Sequence, residues 1–377
     1  MKQKNYSKGI FYLLLFICII ASGLVLKFTA KVVVPVMFAV MLSLVMLPLL
    51  RKLNKKFHIP WIVSAIFILI ISTFVIVIVG NLLISSLKTI ILLYPRYENR
   101  FTAIYQIFAQ TFKLPFNETS SLFENLWNQL GVRNAVQGFA LTFSSNFISF
   151  TKTLMMIMLL ILFLVSEMHY TKEKLNAAFP VQKINGRIAH ALNNIILDIT
   201  RFVSIKFIIS LLTGLLVGIG TQLLGLDFPI VWGFIAFVLN FIPTFGSIFS
   251  GVITILFSII QFYPDIKIAV LTTILMLGVN MTLGNIIEPK IEGKNLGLSP
   301  FFILVSLSIW GGIWGFSGML LAVPVTVILK IICENISFLH PVAILLGNHP
   351  KETQLELSPL DDDDESEDEA QPQELNK

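Results

Sequence analysis

The stretch Ile230 to Ile260, IVWGFIAFVLNFIPTFGSIFSGVITILFSII, contains 31 consecutive residues and no charged side chain. A continuous helix of this length would be about 46 Å long, whereas the hydrocarbon core of a bilayer is about 30 Å thick. A straight crossing would need a tilt of about 50°, which is outside the usual range. Helix breakers and hydrogen-bonding residues interrupt its middle: Asn240, Pro243, Thr244, Gly246, Ser247 and Ser250. The pattern therefore predicts a helix broken at membrane depth.

A second long apolar stretch, Phe301 to Cys333, repeats this design and is charged only at Lys330. Small residues interrupt its middle: Gly311, Gly312, Gly315, Ser317 and Gly318. Unwound backbone is tolerated at membrane depth only where it is buried in protein or lines a cavity, so paired interrupted segments point to a transporter's binding site. The pair therefore predicts a transport function.

The composition indicates an all-α polytopic membrane protein. Hydrophobic residues make up 55% of the 377 residues and charged residues 13%, against about 25% charged in soluble domains. We expect about eight membrane segments, two of them long and broken or re-entrant, and an extracytoplasmic helical insert. Both cysteines, Cys18 and Cys333, lie in apolar stretches, so neither a disulfide framework nor a metal cluster is predicted.

Basic residues orient the chain, because cytoplasmic loops carry an excess of Lys and Arg. The N-terminus, the loop at 51–60 and the segment 167–206 are rich in basic residues, so we expect them, and both termini, in the cytoplasm. The expected organisation is three transmembrane helices (1–84), an extracytoplasmic helical subdomain (85–146), a transmembrane helix (147–166), a cytoplasmic amphipathic helix (167–206), a transport core (207–333) with broken segments 230–260 and 301–333, and a cytoplasmic region with an acidic disordered tail (334–377).

Two topologies fit the broken segments. If each segment crosses the membrane once, there are eight full spans and the loop 288–299 faces outside. If each is a re-entrant hairpin, six full spans remain and this loop faces the cytoplasm. The length of the segments favours hairpins, because two arms of about fifteen residues reach past the middle of the bilayer without crossing it.

Polar residues near the end of the apolar span Ile268 to Ile287, which lies between the two broken segments, complete the candidate site. Asn280, Asn285 and Glu288 lie at or near the end of this span, and Pro289 introduces an irregular loop. This stretch is either functional or a solvated connector, since its Glu and Lys residues balance in charge. The predicted substrate path comprises Asn240, Pro243, Thr244, Gly246, Ser247, Ser250, Asn280, Asn285, Glu288, Gly311, Gly315 and Gly318.

Three motifs in this order resemble the AI-2E family of transporters, also called PerM-like permeases. They are Asn240 to Gly246 (NFIPTFG), Asn285 to Pro289 (NIIEP) and the glycines Gly311, Gly315 and Gly318 followed by Pro324. The resemblance covers nearly the whole chain and implies a bacterial inner-membrane protein. It also implies export of the signal autoinducer-2 or sodium or lithium/proton antiport. Where the family often has Tyr in the first motif, this chain has Thr244.

Three functions compete at this point. Export of a small polar solute, such as an autoinducer-2-like signal, suits the uncharged amides and hydroxyls of the path. Antiport needs a titratable group within the membrane, and Glu288 at a span end is the nearest carboxylate. A non-transporting scaffold would explain the acidic tail but neither broken helix. No enzymatic motif, cofactor site or metal site is predicted; the expected partners are the solute or ion and the bilayer, with no nucleic acid and a homo-oligomer left open.

Overall fold

A computed structural model describes residues 2–111, 152–170, 173–174, 182–243, 245–292, 298–334 and 339–347. Within these ranges the regular secondary structure is helical, apart from one isolated β-bridge between Leu298 and Gly347. The helices are α1 (Lys2–Phe28), α2 (Ala30–Phe57), α3 (Trp61–Thr111), α4 (Lys152–His169), α5 (Gln182–Leu223), α6 (Pro229–Leu239), α7 (Phe245–Phe262), α8 (Ile266–Val279), the π segment (Asn280–Ile287), α9 (Glu288–Glu292), α10 (Pro300–Glu334) and α11 (His340–Leu346).

Seven helical stretches in the described part of the chain are long and apolar enough to cross a membrane. They are Ala30–Phe57, Trp61–Ile90, Lys152–His169, Ile196–Leu223, Phe245–Phe262, Ile266–Ile291 and Pro300–Glu334. Large apolar side chains such as Phe74 and Phe163 are exposed on the surface, where lipid would cover them. The prediction of an all-α polytopic membrane protein is therefore confirmed.

Two helices continue through the boundaries that the sequence suggests. α3 extends without a break past residue 84 to Thr111, and α5 combines the basic segment before residue 206 with the apolar span after it. A change in polarity along a helix reports a change in its surroundings, not its end. The extracytoplasmic position of 85–146 stays a prediction, and residues 112–146 lie outside the described ranges.

The first broken segment folds back on itself as a pair of helices, α6 and α7, which we call the first hairpin. Its base is closed where the Asp227 amide donates to Gln261 Oε1 at 2.8 Å and Gln261 Nε2 donates to the Gly225 carbonyl at 2.9 Å. The rings of Trp232 and Phe257 then pack with centroids 4.8 Å apart. The two arms are therefore antiparallel, and the chain reverses between Leu239 and Phe245.

The second broken segment, α10, also folds back. Its backbone departs from helical geometry at Gly315, with φ 62° and ψ −141°. Ser306 Oγ lies 2.6 Å from Thr326 Oγ1, although twenty residues of straight helix would separate them by about 30 Å. Residues 300–314 and 316–334 are thus two arms of a second hairpin.

Both hairpins pack against α5 and differ in their other neighbours. The first hairpin also packs against α8 and α3, and the second also packs against α1 and α2. Gly214 of α5 and Gly233 of α6 permit the close approach of these helices, because a Cβ atom on Gly214 would lie 2.8 Å from the Gly233 carbonyl oxygen. α5 is therefore the common support of the two hairpins.

The π segment and α9 return the chain to the first half of α5. Arg201 Nη2 donates to the Ile291 carbonyl at 3.3 Å. A few residues later, the Ser299 amide donates to the Leu346 carbonyl at 2.9 Å, so α11 lies at the base of the second hairpin. The described ends of the 288–299 loop therefore lie on the same side of the molecule as Arg201.

Candidate functional site

The tip of the first hairpin is a short non-helical turn in the middle of the apolar segment. The Ile242 amide donates to the Leu239 carbonyl at 2.8 Å, and the Gly246 amide donates to the Ile242 carbonyl at 3.0 Å. These bonds satisfy backbone groups that the break removes from the helix ladder. Pro243 lies in this turn, and its carbonyl accepts from the Phe245 amide at 2.7 Å. The predicted path residue Thr244 lies outside the described residues.

Four polar residues gather at this tip and form what we call the tip cluster: Ser210, Asn240, Ser247 and Asn280. Asn240 is 5% exposed, and its Nδ2 donates to Ser210 Oγ of α5 at 3.0 Å. Ser247 Oγ donates to Asn240 Oδ1 at 3.4 Å, and Asn280 Nδ2 donates to the Ser247 carbonyl at 3.4 Å. The cluster therefore joins the hairpin to α5 and to the π segment through neutral groups alone.

Three of the four cluster residues belong to the predicted substrate path, and the fourth, Ser210, does not. Ser250 lies one turn along α7, where it is buried and donates to the Ser247 carbonyl at 3.1 Å. Asn285 is exposed on the π segment and makes no hydrogen bond to the cluster within the described ranges. Helices of the π type occur often at functional sites, and here one begins at Asn280 itself.

A buried ion pair lies beside the cluster. Lys206 Nζ donates to Glu288 Oε1, and the two side chains are only 7% and 14% exposed. Lys206 precedes Ser210 by one helical turn. The charge of the predicted path residue Glu288 is therefore balanced by Lys206, which belongs to the basic segment predicted to be cytoplasmic. The spacing of Lys206, Ser210, Thr213 and Val217 places them on one face of α5. This spacing is the sequence signal that Lys206 lies on the same side of the helix as Ser210.

Gly246 allows the close approach of the two arms of the first hairpin. A Cβ atom on Gly246 would lie 1.7 Å from the Leu239 carbonyl oxygen, which is closer than any real contact. The absence of a side chain thus lets the two arms meet. The position of Gly246 on a solute path stays a prediction.

The three path glycines of α10 lie around the tip of the second hairpin. Gly315 supplies the positive φ of the turn, and a Cβ on Gly318 would lie 1.9 Å from the Trp310 carbonyl oxygen. A Cβ on Gly311 would lie 3.0 Å from Met319 Cγ. Trp314 Nε1 donates to the Leu26 carbonyl at 3.0 Å and anchors this tip to α1. Within the described residues no hydrogen bond links it to the tip cluster.

A tyrosine and an aspartate fasten α3 to the base of the first hairpin. The Tyr97 hydroxyl donates to Asp227 Oδ2 at 2.5 Å, and Trp232 Nε1 donates to the Asp227 carbonyl at 2.9 Å. Burial of the phenol, and then the hydrogen bond from it to the Asp227 carboxylate, raise the pKa of Tyr97 well above its usual value. Local sequence patterns do not predict this contact, because its partners lie 130 positions apart.

The described residues contain no group of three His, Cys, Asp or Glu side chains that could hold a metal ion. The family model "AI-2E family transporter" matches residues 13–338, which is most of the chain. The chain belongs to the AI-2E family of transporters. It is a multi-pass membrane transport protein, as the resemblance of its three motifs implied.

Relatives within this family carry transport names. A protein of Borreliella burgdorferi is 37% identical over 253 residues, which cover 67% of each chain, and is named "Putative transport protein". A Haemophilus influenzae protein with the same name is 28% identical over 88% of this chain and 94% of its own length. The AI-2 transport protein TqsA of Escherichia coli K12 is 27% identical over 87% of this chain and 92% of its own length.

Proposed function

We propose that this AI-2E family member moves a small polar neutral solute across the bacterial inner membrane, with the tip cluster as its contact site. The observation that carries the proposal is the chemistry of this cluster. Asn240 and Ser210, which are buried, and Ser247 and Asn280, which are partly buried, offer amide and hydroxyl groups and no ionisable side chain. Amides and hydroxyls both donate and accept, so they match a solute that carries hydroxyl or carbonyl groups.

The cluster also contains hydrogen bonds that a solute can replace. Two of its hydrogen bonds are long, at 3.4 Å each, and both involve Ser247. Long bonds of this kind are weak, so a solute that offers shorter ones replaces them at little cost. An autoinducer-2-like signal is one such solute, and the similarity to a relative named as an AI-2 transport protein supports it.

Flux through the purified protein in proteoliposomes tests this function. We expect efflux of labelled autoinducer-2, or of another small hydroxylated solute, that needs no imposed sodium or proton gradient. Empty liposomes provide the control. Absence of flux for all neutral solutes, together with a sodium-dependent pH change inside the vesicles, would overturn the proposal.

Cation/proton antiport is the second candidate, and the buried Lys206–Glu288 pair is the observation that favours it. In such a mechanism the Glu288 carboxylate, which is paired with a lysine one turn from Ser210, would exchange this lysine for a cation or a proton. Glu288→Gln alone would leave Lys206 buried without a counter-charge, so Lys206→Gln/Glu288→Gln is the cleaner variant. Loss of a pH-dependent cation flux in the double variant would support antiport, and an unchanged solute flux would support the neutral mechanism.

We also propose that the two hairpins are re-entrant and that they enter the membrane from opposite sides, the first from outside and the second from the cytoplasm. The first opens where α5 ends and the second opens beside α11, while the chain between them returns to the side of Arg201. With the basic segment of α5 in the cytoplasm, the 288–299 loop and both termini are cytoplasmic as well.

Cysteine labelling tests this topology. In a background without Cys18 and Cys333, we expect an impermeant maleimide to label Lys290→Cys only after the membrane is permeabilised. Lys290 is exposed, so the new thiol would be accessible from its own side. The matched position Lys267→Cys, exposed at the start of α8 on the opposite side, should be labelled in intact spheroplasts. Labelling of Lys290→Cys in intact spheroplasts would contradict the hairpin topology.

A further inference from the structure

Two hydroxyl groups of α5 have no hydrogen-bond partner among the residues that the structure describes. They are Thr200 Oγ1 and Ser204 Oγ, and Thr200 is only 5% exposed. Hydroxyls elsewhere in the same helix are satisfied internally: Thr213 donates to the Ile209 carbonyl at 2.9 Å and Thr221 to the Val217 carbonyl at 2.8 Å. An unpartnered buried hydroxyl lowers stability, so two of them one turn apart require an explanation.

Their position relates them to the first hairpin. Thr200, Ser204 and Phe207 follow one another at four and three residues, so they share one face of α5. The Phe207 ring packs on Phe237 and Phe241, with centroids 5.9 Å and 6.5 Å apart. The face that the hairpin covers therefore continues past the hairpin tip as two turns that carry the two free hydroxyls.

The charged residues beside these hydroxyls sum to zero in formal charge. Lys206 is paired with Glu288, and Arg201 lies three residues after Asp198 on the same helix. The two hydroxyls therefore offer neutral donors and acceptors in a locally balanced field. Two such hydroxyl groups suit a ligand that brings its own hydroxyl groups and no net charge.

We infer that Thr200 and Ser204 form a second binding site for the transported solute. This second step of transport lies between the tip cluster and the side of the molecule that carries Arg201. The step takes a small neutral polyhydroxylated molecule of three or more carbons, since side chains four residues apart in a helix are about 6 Å apart. This inference rests on the proposed function and adds residues and a solute class to it.

Transport kinetics of matched variants test the step. The probes are radiolabelled glycerol, erythritol, ribose and autoinducer-2 in proteoliposomes, and the variants are Thr200→Val, Ser204→Ala, their double and the control Thr213→Val. For a transported probe, we expect KM to rise roughly tenfold in Thr200→Val, the ratio for one lost hydrogen bond, and to recover in Thr200→Ser. Thr213→Val should leave KM unchanged, because its hydroxyl is satisfied within the helix.

Thermal unfolding in detergent separates binding from folding. Thr200→Val should melt at or above the temperature of the unaltered protein, because it replaces an unpartnered hydroxyl by a methyl group of similar size. An unchanged KM in the double variant, with transport intact in the unaltered protein, would overturn the inference and leave the proposed function standing. A lower melting temperature for Thr200→Val at unchanged KM would also overturn it. Absence of transport of every probe by the unaltered protein would overturn the proposed function, and the inference with it.

Discussion

The two hairpins share one way of turning and differ in what their tips present. In each, a glycine lies against a carbonyl of the opposite arm: Gly246 against Leu239, and Gly318 against Trp310. The first tip carries amides and hydroxyls that bond to neighbouring helices, whereas the second carries Trp314 bonded to α1. The shared glycines therefore explain the turns, and the proposed solute site lies at the first tip.

Buried hydroxyls also join the two arms of the second hairpin, away from its tip. Ser306 and Thr326 are buried between its arms, where Ser306 donates to the Ala322 carbonyl at 3.0 Å. These bonds hold the arms together. Similar sequence patterns of small and polar residues thus produce two tips with different neighbours and different hydrogen bonds.

The largest effect should come from the two contact glycines. Gly246→Ala and Gly318→Ala each place a methyl group inside a backbone carbonyl, so we expect losses of about 3 kcal/mol or more in stability. Gly315→Ala should cost about 1–3 kcal/mol, because its φ of 62° and ψ of −141° are strained for alanine. Gly312→Ala is the control, since nothing lies within 4 Å of its added Cβ.

Size-exclusion chromatography and thermal unfolding in detergent measure this series. The order Gly246 and Gly318, then Gly315, then Gly312 would support the shared turn geometry. Equal effects at Gly312 and Gly318 would contradict it.

The ion pair beside the first tip should give the next largest effect. Lys206→Met leaves Glu288 buried without a counter-charge, so we expect a loss of about 3–5 kcal/mol. Lys206→Met/Glu288→Leu removes both charges and should recover most of this loss. Thermal unfolding curves of the single and double variants check this recovery. A double variant that is no more stable than Lys206→Met would show that Lys206 and Glu288 are not energetically coupled.

A smaller effect is expected at the base of the first hairpin. Tyr97→Phe removes the bond to the Asp227 carboxylate and should cost about 1–2 kcal/mol. Because the pKa of Tyr97 is raised in the folded protein, its contribution is complete below about pH 10, the usual value, and is lost only as the pH rises further. We therefore expect the unfolding curves of Tyr97→Phe and of the unaltered protein to differ at pH 7 and to approach each other as the pH rises above 10.

Sequence reasoning reached the architecture because its signals are local. The breaks at Asn240 and Pro243, and the glycines of α10, interrupt stretches too long for one crossing, which was enough to predict broken helices. The partners of the site were not predictable in this way. Asn240 and Ser210 lie 30 positions apart, and Lys206 and Glu288 lie 82 apart, so only the tertiary packing of α5 joins them.

The glycines show the same limit from the other direction. A glycine near a polar motif is compatible with a solute path or with a tight turn, and the sequence does not distinguish these roles. The close approach of the Leu239 carbonyl shows that the turn needs a glycine at Gly246, and its place on a solute path stays a prediction. The exposure of Asn285 likewise depends on which face of the π segment turns outward, which local spacing does not define.

The most direct test of the account is solute flux through the double variant Asn240→Leu/Ser210→Ala. Removing both partners of the Asn240–Ser210 bond leaves neither of them unsatisfied, and the bond that Ser247 also loses is long, at 3.4 Å. The variant should therefore stay folded, with a melting temperature close to that of the unaltered protein. The control Ser258→Ala breaks another buried hydroxyl pair, to Thr272 at 3.0 Å, away from the tip. In proteoliposomes we predict that the double variant loses at least about 90% of the flux of labelled autoinducer-2, or of whichever neutral solute the unaltered protein carries, while Ser258→Ala retains most of it, since two lost hydrogen bonds correspond to more than a tenfold change. A folded double variant with unchanged flux would contradict the assignment of the first tip as the solute site.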